Sequence, residues 1–327
     1  MGTKVKLGLI GLGNQGKEYL QAITLSKQAE IVAAYDQSPD TQKTVQSQYP
    51  NLCVTESLQQ LQAQHLDGLI LALPHDCYEP IWSQLLNFKL PMLKEKPLGR
   101  DISEAQHFIE QARQQACPIQ TAIQRRQHPT YIRLAEEIKG QAIIEIDAHM
   151  HLGFSPESNT GWRANRQKAG GGALLDSGYH LVDLVLFLIG QFELVNACLW
   201  HEDQLMKAAS ELIETEAVLL GRQNSTWVKI DSRLSGQPCA NSKTGYQKSE
   251  GVHILTTTDH YYADRSILKK NDVVLLESQR DWTIAISRQL DQFADNITQN
   301  RWNQRIIWEQ LPAMQLIDRA YSLVFTA

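Results

Sequence analysis

The chain has 327 residues, 43% of them hydrophobic and 20% charged, with a formal net charge of -5. That length suggests two domains, each able to bury a core, and the mild acidity argues against nucleic acid or an anionic membrane as a partner, because both call for a positive field. The five cysteines are widely spaced and never form a C-x-x-C pair, which argues against a disulfide frame and fits a reducing cytoplasm, and the N-terminus reads as neither a secretion signal nor a membrane span.

Residues Val5 to Ile10 form a β-branched and leucine-rich run that stops at Gly11-Leu12-Gly13-Asn14-Gln15-Gly16, after which Lys17 to Ile23 reads as a helix. A second strand at Ile31 to Tyr35 ends at Asp36, 20 residues beyond Gly16. In that context the G-x-G-x-x-G run predicts a dinucleotide site. Gly11 makes the tight turn, Gly13 lets the backbone approach a pyrophosphate and Gly16 permits close packing of helix on strand. The helix N-terminus, with Asn14 and Gln15, supplies donors to the phosphates. Asp36 would accept hydrogen bonds from the adenosine ribose and repel a 2′-phosphate, and no Arg follows it. The expected cofactor is therefore NAD, with NADP as the alternative because Ser38 and Lys43 could still help hold a phosphate.

The pattern then repeats. Strands are expected at Cys53 to Thr55, Gly68 to Leu73, Met92 to Glu95 and Ile119 to Ile123, and helices from Ser57, through Trp82 to Phe88, and from Ser103 to Gln115. Such alternation predicts a doubly wound parallel sheet, a Rossmann domain over residues 1–123. Ligands bind at the carboxyl ends of such strands, and two of those ends carry chemistry: Pro74-His75 and Glu95-Lys96-Pro97. Pro97 restricts Lys96 to an extended backbone, so its ammonium leaves the sheet edge in a defined direction. Pro74, His75, Glu95 and Lys96 are the expected cofactor contacts on this side.

Residues 124–327 read as a substrate-binding and oligomerisation domain. A helix from Pro129 to Lys139 precedes a strand from Ile143 to Leu152, with Ile144, Ile146 and Ala148 on one face and Glu145, Asp147 and His149 on the other. Strand-like runs follow at Leu194 to Trp200, Glu216 to Leu220, Thr226 to Arg233, Val252 to Thr258, Tyr261 to Ile267 and Val273 to Leu276. They predict an α+β domain with a large, mainly antiparallel open sheet. Helices at about Trp282 to Gln299 and Trp308 to Leu323 close the chain, and the polar segment Ser235 to Glu250 reads as a long loop. The uncovered face of such a sheet predicts a homodimer or a homotetramer.

Within this domain Gly170-Gly171-Gly172 forms a loop with no side chains to obstruct a ligand, and an apolar helical run follows it as far as Gly190. Asp176 and His180, four residues apart, share one helix face, while Leu174, Leu175, Leu181, Val182, Val185 and Leu186 cover other angles. A polar pair in an otherwise buried segment needs a partner or a ligand. The structural alternative is a capping Asp and a core His.

With the glycine run at 11–16, Glu95-Lys96-Pro97, Trp162-Arg163 and Gly170-Gly171-Gly172-x-x-x-Asp176-x-Gly178-x-His180-x-x-Asp183 all in order, the sequence resembles the glucose-fructose oxidoreductase / inositol dehydrogenase / rhizopine catabolism (Gfo/Idh/MocA) family over essentially its whole length. The resemblance implies a nicotinamide-dependent oxidoreductase with Lys96, Asp176 and His180 as its catalytic trio, Arg126 lining the cleft, and Trp162 and Arg163 among the substrate-binding residues. In that reading His180 exchanges a proton with the substrate and Lys96 stabilises alkoxide character. Asp176 binds a hydroxyl or orients the imidazole. The substrate is a polyhydroxylated small molecule, a sugar, sugar derivative or cyclitol, and no metal is required. The turn Leu73-Pro74-His75 departs from the family's usual Thr-Pro-Asn. Two rival readings are a zinc hydrolase ligated by Asp176, His180, Glu95, His149 and His151, and a nucleotide-sensing regulator that kept the fold without catalysis.

Overall fold

A computed structural model describes residues 3–154, 160–208, 210–242, 245–304 and 310–325. Contacts divide the chain into two units, the first made of Met1–Gly99, Ser103–Gln127 and Asp281–Gln310. Here the alternating pattern becomes strands β1 (Val5–Ile10), β2 (Ala29–Tyr35), β3 (Cys53–Thr55), β4 (Gly68–Leu71), β5 (Met92–Glu95) and β6 (Ile119–Ala122). Helices α1 (Asn14–Ala22), α2 (Pro39–Gln48), α3 (Leu58–Gln62), α4 (Trp82–Leu86) and α5 (Ile102–Gln114) connect them. The strands pair in the order β3-β2-β1-β4-β5-β6, all parallel, a doubly wound order whose direction reverses between β1 and β4. Every residue of β4, β5 and β6 is buried, as strands covered on both faces must be. Ser38 and Ser57 start α2 and α3 by accepting the amides of Thr41 and Gln60 on their hydroxyls.

The second unit comprises Arg100–Ile102, His128–Arg280 and Leu311–Ala327. Its helices are α6 (Pro129–Glu137), α7 (Arg166–Ala169) and α8 (Tyr179–Ile189). Its strands are β7 (Ile143–His151), β8 (Glu193–His201), β9 (Gln204–Leu205), β10 (Glu216–Gln223), β11 (Thr226–Arg233), β12 (Gln237–Pro238), β13 (Tyr246–Gln247), β14 (Ser249–Thr256), β15 (His260–Ala263), β16 (Ile267–Lys270) and β17 (Val273–Glu277). Nine of them form one sheet in the order β17-β16-β15-β14-β7-β11-β10-β8-β9. Its described pairings are antiparallel except β7 with β11. On β7, Ile146, Ala148 and Met150 are buried while Asp147, His149 and His151 are half-buried; Ile144, expected on one face with Ile146 and Ala148, is 43% exposed.

Helices α9 (Thr283–Thr298) and α10 (Leu311–Phe325) end the chain. Although α9 follows the large sheet in sequence, it packs in the first unit, where Ile286, Leu290 and Phe293 share a core with Leu7, Leu9 and Ile70. The stretch Arg166–Ile189 is long and apolar enough to cross a membrane by length and composition, and 67% of its apolar window is buried inside the protein.

Two expectations are corrected. The segment Ser235 to Glu250 is not one long loop, since it carries β12, β13 and the start of β14, with residues 243–244 outside the described residues. The run Tyr261 to Ile267 breaks into β15 and β16 because Asp264 Oδ1 accepts the backbone N–H groups of Ser266 and Ile267 at 2.7 and 3.0 Å, closing a tight turn. Trp308, the expected start of the last helix, lies outside the described residues.

Candidate active site

The glycine turn between β1 and α1 is shaped by close approach of backbone. Gly11 has a φ of +96°, and a Cβ on Gly16 would lie 2.1 Å from the Gly11 carbonyl oxygen, so α1 can lie this near β1 only without a side chain there. Around Gly13, the residue preceding α1, nothing comes within 4 Å of where a Cβ would stand. Gly13 and Asn14 are exposed, and the Nε2 of Gln15 is buried without a hydrogen-bond partner. Asp36 closes the turn: Oδ2 accepts the Leu12 N–H at 2.8 Å and Oδ1 accepts the Ser38 N–H at 2.9 Å, leaving each oxygen a further lone pair. A cleft of about 470 Å³ opens here, lined among others by Gly11, Gly13, Tyr35, Asp36, Pro74 and Cys77. It lies at the carboxyl ends of parallel strands, where such sheets bind ligands. An open glycine, an orphaned amide donor, a helix N-terminus without an acidic residue in its first turn, and a carboxylate with spare lone pairs together fit a dinucleotide.

At the end of β5, Glu95 is buried, and its Oε1 accepts the Tyr19 hydroxyl of α1 at 2.6 Å. Burial pushes its carboxyl up to about 7, against the pull of the Tyr19 hydrogen bond and of Lys96 and Lys94. Lys94 was not singled out by sequence. Its buried ammonium donates to the carbonyls of Glu95 at 3.2 Å and Pro97 at 2.8 Å and sits 3.7 Å from the Tyr78 ring centroid, and burial lowers its pKa to about 7. Lys94 thus braces the segment that carries half-buried Lys96, whose peptide bond to Pro97 is cis. Pro74 lines the cleft, while His75 is buried in the turn that follows it. Arg126 is half-buried on the 3₁₀ turn Gln124–Gln127; its neighbour Arg125 is fully buried, with its guanidinium 5.2 Å from the Trp282 ring centroid.

In the second unit, Leu174–Gly178 forms a π-helical turn leading into α8, a local widening that often marks functional sites. The Ser177 hydroxyl donates to the Ala173 carbonyl at 3.0 Å and lies 2.7 Å from the Ser232 hydroxyl of β11. From Gly171 to Val185 every residue is buried except Asp176 and His180. Arg163 Nε lies 3.3 Å from Asp176 Oδ2, and its guanidinium stands 4.3 Å from the Trp162 ring centroid. Trp162, Arg163 and Asp176 are therefore brought together. Lys96 and Arg126 belong to the first unit.

The three glycines have a different reason from the expected one. A Cβ on Gly170 would lie 2.4 Å from the Arg100 carbonyl oxygen, one on Gly171 2.0 Å from the Tyr321 hydroxyl, and one on Gly172 1.9 Å from the Glu214 carbonyl oxygen. The protein itself, not space for a ligand, fills the room that side chains would take. The hydrolase reading also weakens. His151 Nε2 faces Asp231 Oδ1 at 3.4 Å, and among the described residues no group of three or more His, Cys, Asp or Glu is placed to hold a metal ion.

The profile described as "Oxidoreductase family, NAD-binding Rossmann fold" matches residues 5–123, and the GFO/IDH/MocA C-terminal domain profile matches residues 140–233. A candidate UDP-kanosamine synthase oxidoreductase subunit of Amycolatopsis mediterranei is 23% identical over 97% of this chain and 95% of its own length. The rhizopine catabolism protein MocA of Rhizobium meliloti is 26% identical over 58% of each. The solved structure of levoglucosan dehydrogenase in complex with NADH and levoglucosan has the same fold, with a TM-score of 0.79, 16% identity and 98% of each chain covered. The chain belongs to the Gfo/Idh/MocA family, NAD(P)-dependent oxidoreductases in which a Rossmann domain precedes a C-terminal α+β domain.

Proposed function

We propose that the protein interconverts a secondary alcohol and a ketone on a sugar, sugar derivative or cyclitol, with NAD as the preferred cofactor and NADP as the alternative. One observation carries this reading: in a stretch buried everywhere else, Asp176 and His180 alone are only half-buried, with Arg163 on the acid. A bound nicotinamide supplies hydride acceptance and return. The chain has to move one proton and hold the substrate. His180 takes the hydroxyl proton during oxidation and returns it during reduction, since an imidazole nitrogen can both accept and donate a proton. Asp176 accepts a hydrogen bond from a substrate hydroxyl or orients the imidazole. Lys96 contributes the positive charge that stabilises alkoxide character, and Arg126, Trp162 and Arg163 contribute further contacts. So many groups able to bind hydroxyls suit a polyol better than a simple alcohol. The names of the rhizopine protein and of levoglucosan dehydrogenase point the same way.

Self-association through the large sheet, as a homodimer or homotetramer, is part of the same proposal. Leu220, Trp227 and Leu255 fall on one sheet face by register and are 39%, 46% and 42% exposed. The five cysteines are all free, in keeping with a reducing cytoplasm. The test is purified protein with NAD and NADP, oxidised and reduced, against sugars, sugar phosphates, sugar acids and inositols, followed by nicotinamide absorbance. Turnover on a polyol supports the reading. Cofactor binding without turnover on any member of the panel overturns it in favour of nucleotide sensing.

A further inference from the structure

Glu214 precedes β10 and is 0% exposed. Its Oε1 accepts three hydrogen bonds, from the N–H of Gly172 at 2.8 Å, the N–H of Leu174 at 3.0 Å and the hydroxyl of Tyr321 at 2.7 Å. Its own carbonyl accepts the N–H of Ala173, which lies between them, at 2.8 Å. A single residue thus holds three successive amides just before the turn that bears Asp176, whose N–H in turn reaches the Gly172 carbonyl at 2.9 Å. The other carboxylate oxygen faces Arg166 Nη1 at 3.6 Å, and the Arg166 guanidinium lies 5.0 and 5.1 Å from the ring centroids of Tyr321 and Phe325 on α10. Burial and the neighbouring Glu214 charge push the Tyr321 hydroxyl far above its ordinary pKa, so it stays a donor.

A buried carboxylate is costly unless donors and a cation surround it, and a hydrophobic side chain of similar size often serves packing as well or better. Here the donors are the backbone amides that lead into the helix presenting the acid/base pair. The glycines at 171 and 172 are what allow Tyr321 and Glu214 this close. We propose that Glu214 is a positioning residue: it clamps Gly172–Leu174 so that Asp176 and His180 meet the substrate at a fixed angle. This rests on the dehydrogenase reading above, because the clamp serves that proton transfer.

The experiment compares wild type, Glu214→Gln and Tyr321→Phe on whichever polyol the wild type turns over, at a temperature well below their melting transitions and normalised to cofactor-binding sites. Glutamine keeps the shape and one acceptor but loses the charge. The expected result is a fall in kcat of roughly 10²-fold in Glu214→Gln, the scale of a misplacement of about 1 Å. NAD(P) affinity should be unchanged, the kcat pH profile displaced and amide exchange at 172–176 faster. Tyr321→Phe, which keeps the charge and both amide bonds, should fall between the two. Wild-type kcat and pH profile in Glu214→Gln would overturn the proposal whatever the exchange shows, since a purely structural residue would change melting alone. If Glu214→Gln does not fold, Tyr321→Phe decides: a reduced kcat at unchanged cofactor affinity supports the clamp, and an unchanged kcat overturns it. An inert wild type is a failure of the dehydrogenase reading, seen before any variant is made.

Discussion

Replacing Glu95 with Gln should flatten the dependence of stability on pH. Glu95 is 7% exposed, and its carboxyl is raised from its ordinary 4.5 to about 7, chiefly by burial. A pKa raised by folding means that the neutral acid is favoured in the folded state. Its contribution is therefore complete below pH 4.5, is lost between 4.5 and about 7, and stays lost above. At about 1.4 kcal/mol per pKa unit, the loss is roughly 3 kcal/mol. Glutamine preserves the shape and can still accept the Tyr19 hydroxyl through its amide oxygen, so at pH 5 the variant should be at most slightly less stable than wild type. By pH 8 it should be the more stable, by roughly 2–3 kcal/mol relative to the difference at pH 5. Lys94 works with the opposite slope: burial lowers its pKa to about 7, so its contribution is lost as pH falls from 10.5 to about 7. Both proteins share that effect, and it largely cancels in the comparison. The assay is amide exchange of the β1 and β5 core at pH 5 and pH 8, which reads the first unit separately from the second. Equal pH slopes for the two proteins, within about 0.5 kcal/mol, would refute the burial argument.

Asp36→Ser should weaken NAD binding by roughly 10- to 100-fold, the scale of hydrogen bonds to a charged group, and narrow the gap to NADP; an undiminished NAD preference in titration would place selectivity elsewhere. Lys96→Met keeps the apolar stem and removes the charge, so kcat should fall by roughly 10²- to 10³-fold with NAD(P) affinity little changed, and a wild-type kcat would remove Lys96 from the chemistry. Light scattering at micromolar concentration should report a dimer or tetramer, and a monomer would show that the sheet face bearing Leu220, Trp227 and Leu255 is not an interface.

The first unit is legible in sequence because its signals are local. A glycine turn, a strand before it, a helix after it and an acid 20 residues on are all set by nearest neighbours, and β3 and β5 begin and end where the residue pattern places them. That Asp176 and His180 are less buried than their neighbours also follows from polar residues spaced within an apolar run. What escapes sequence depends on distant partners. The π-helical turn is supported by Ser177 meeting Ser232, 55 residues away. The glycine run is fixed by Arg100, Glu214 and Tyr321, none of which a local window contains. Helix α9 joins a core built from strands more than 150 residues earlier because its apolar face matches Leu7 and Ile70, not the sheet it follows. Lys94 reads as an ordinary charged residue until β5 is known to be covered on both faces.

The assignment of proton transfer to the helix pair is tested most directly by the kcat of His180→Asn at saturating cofactor and polyol. A general acid/base lost from this position should lower kcat by roughly 10²- to 10⁴-fold, with folding and NAD(P) affinity close to wild type. A variant that loses thermal stability but keeps wild-type turnover would show instead that His180 is a core histidine and that the chemistry is carried elsewhere.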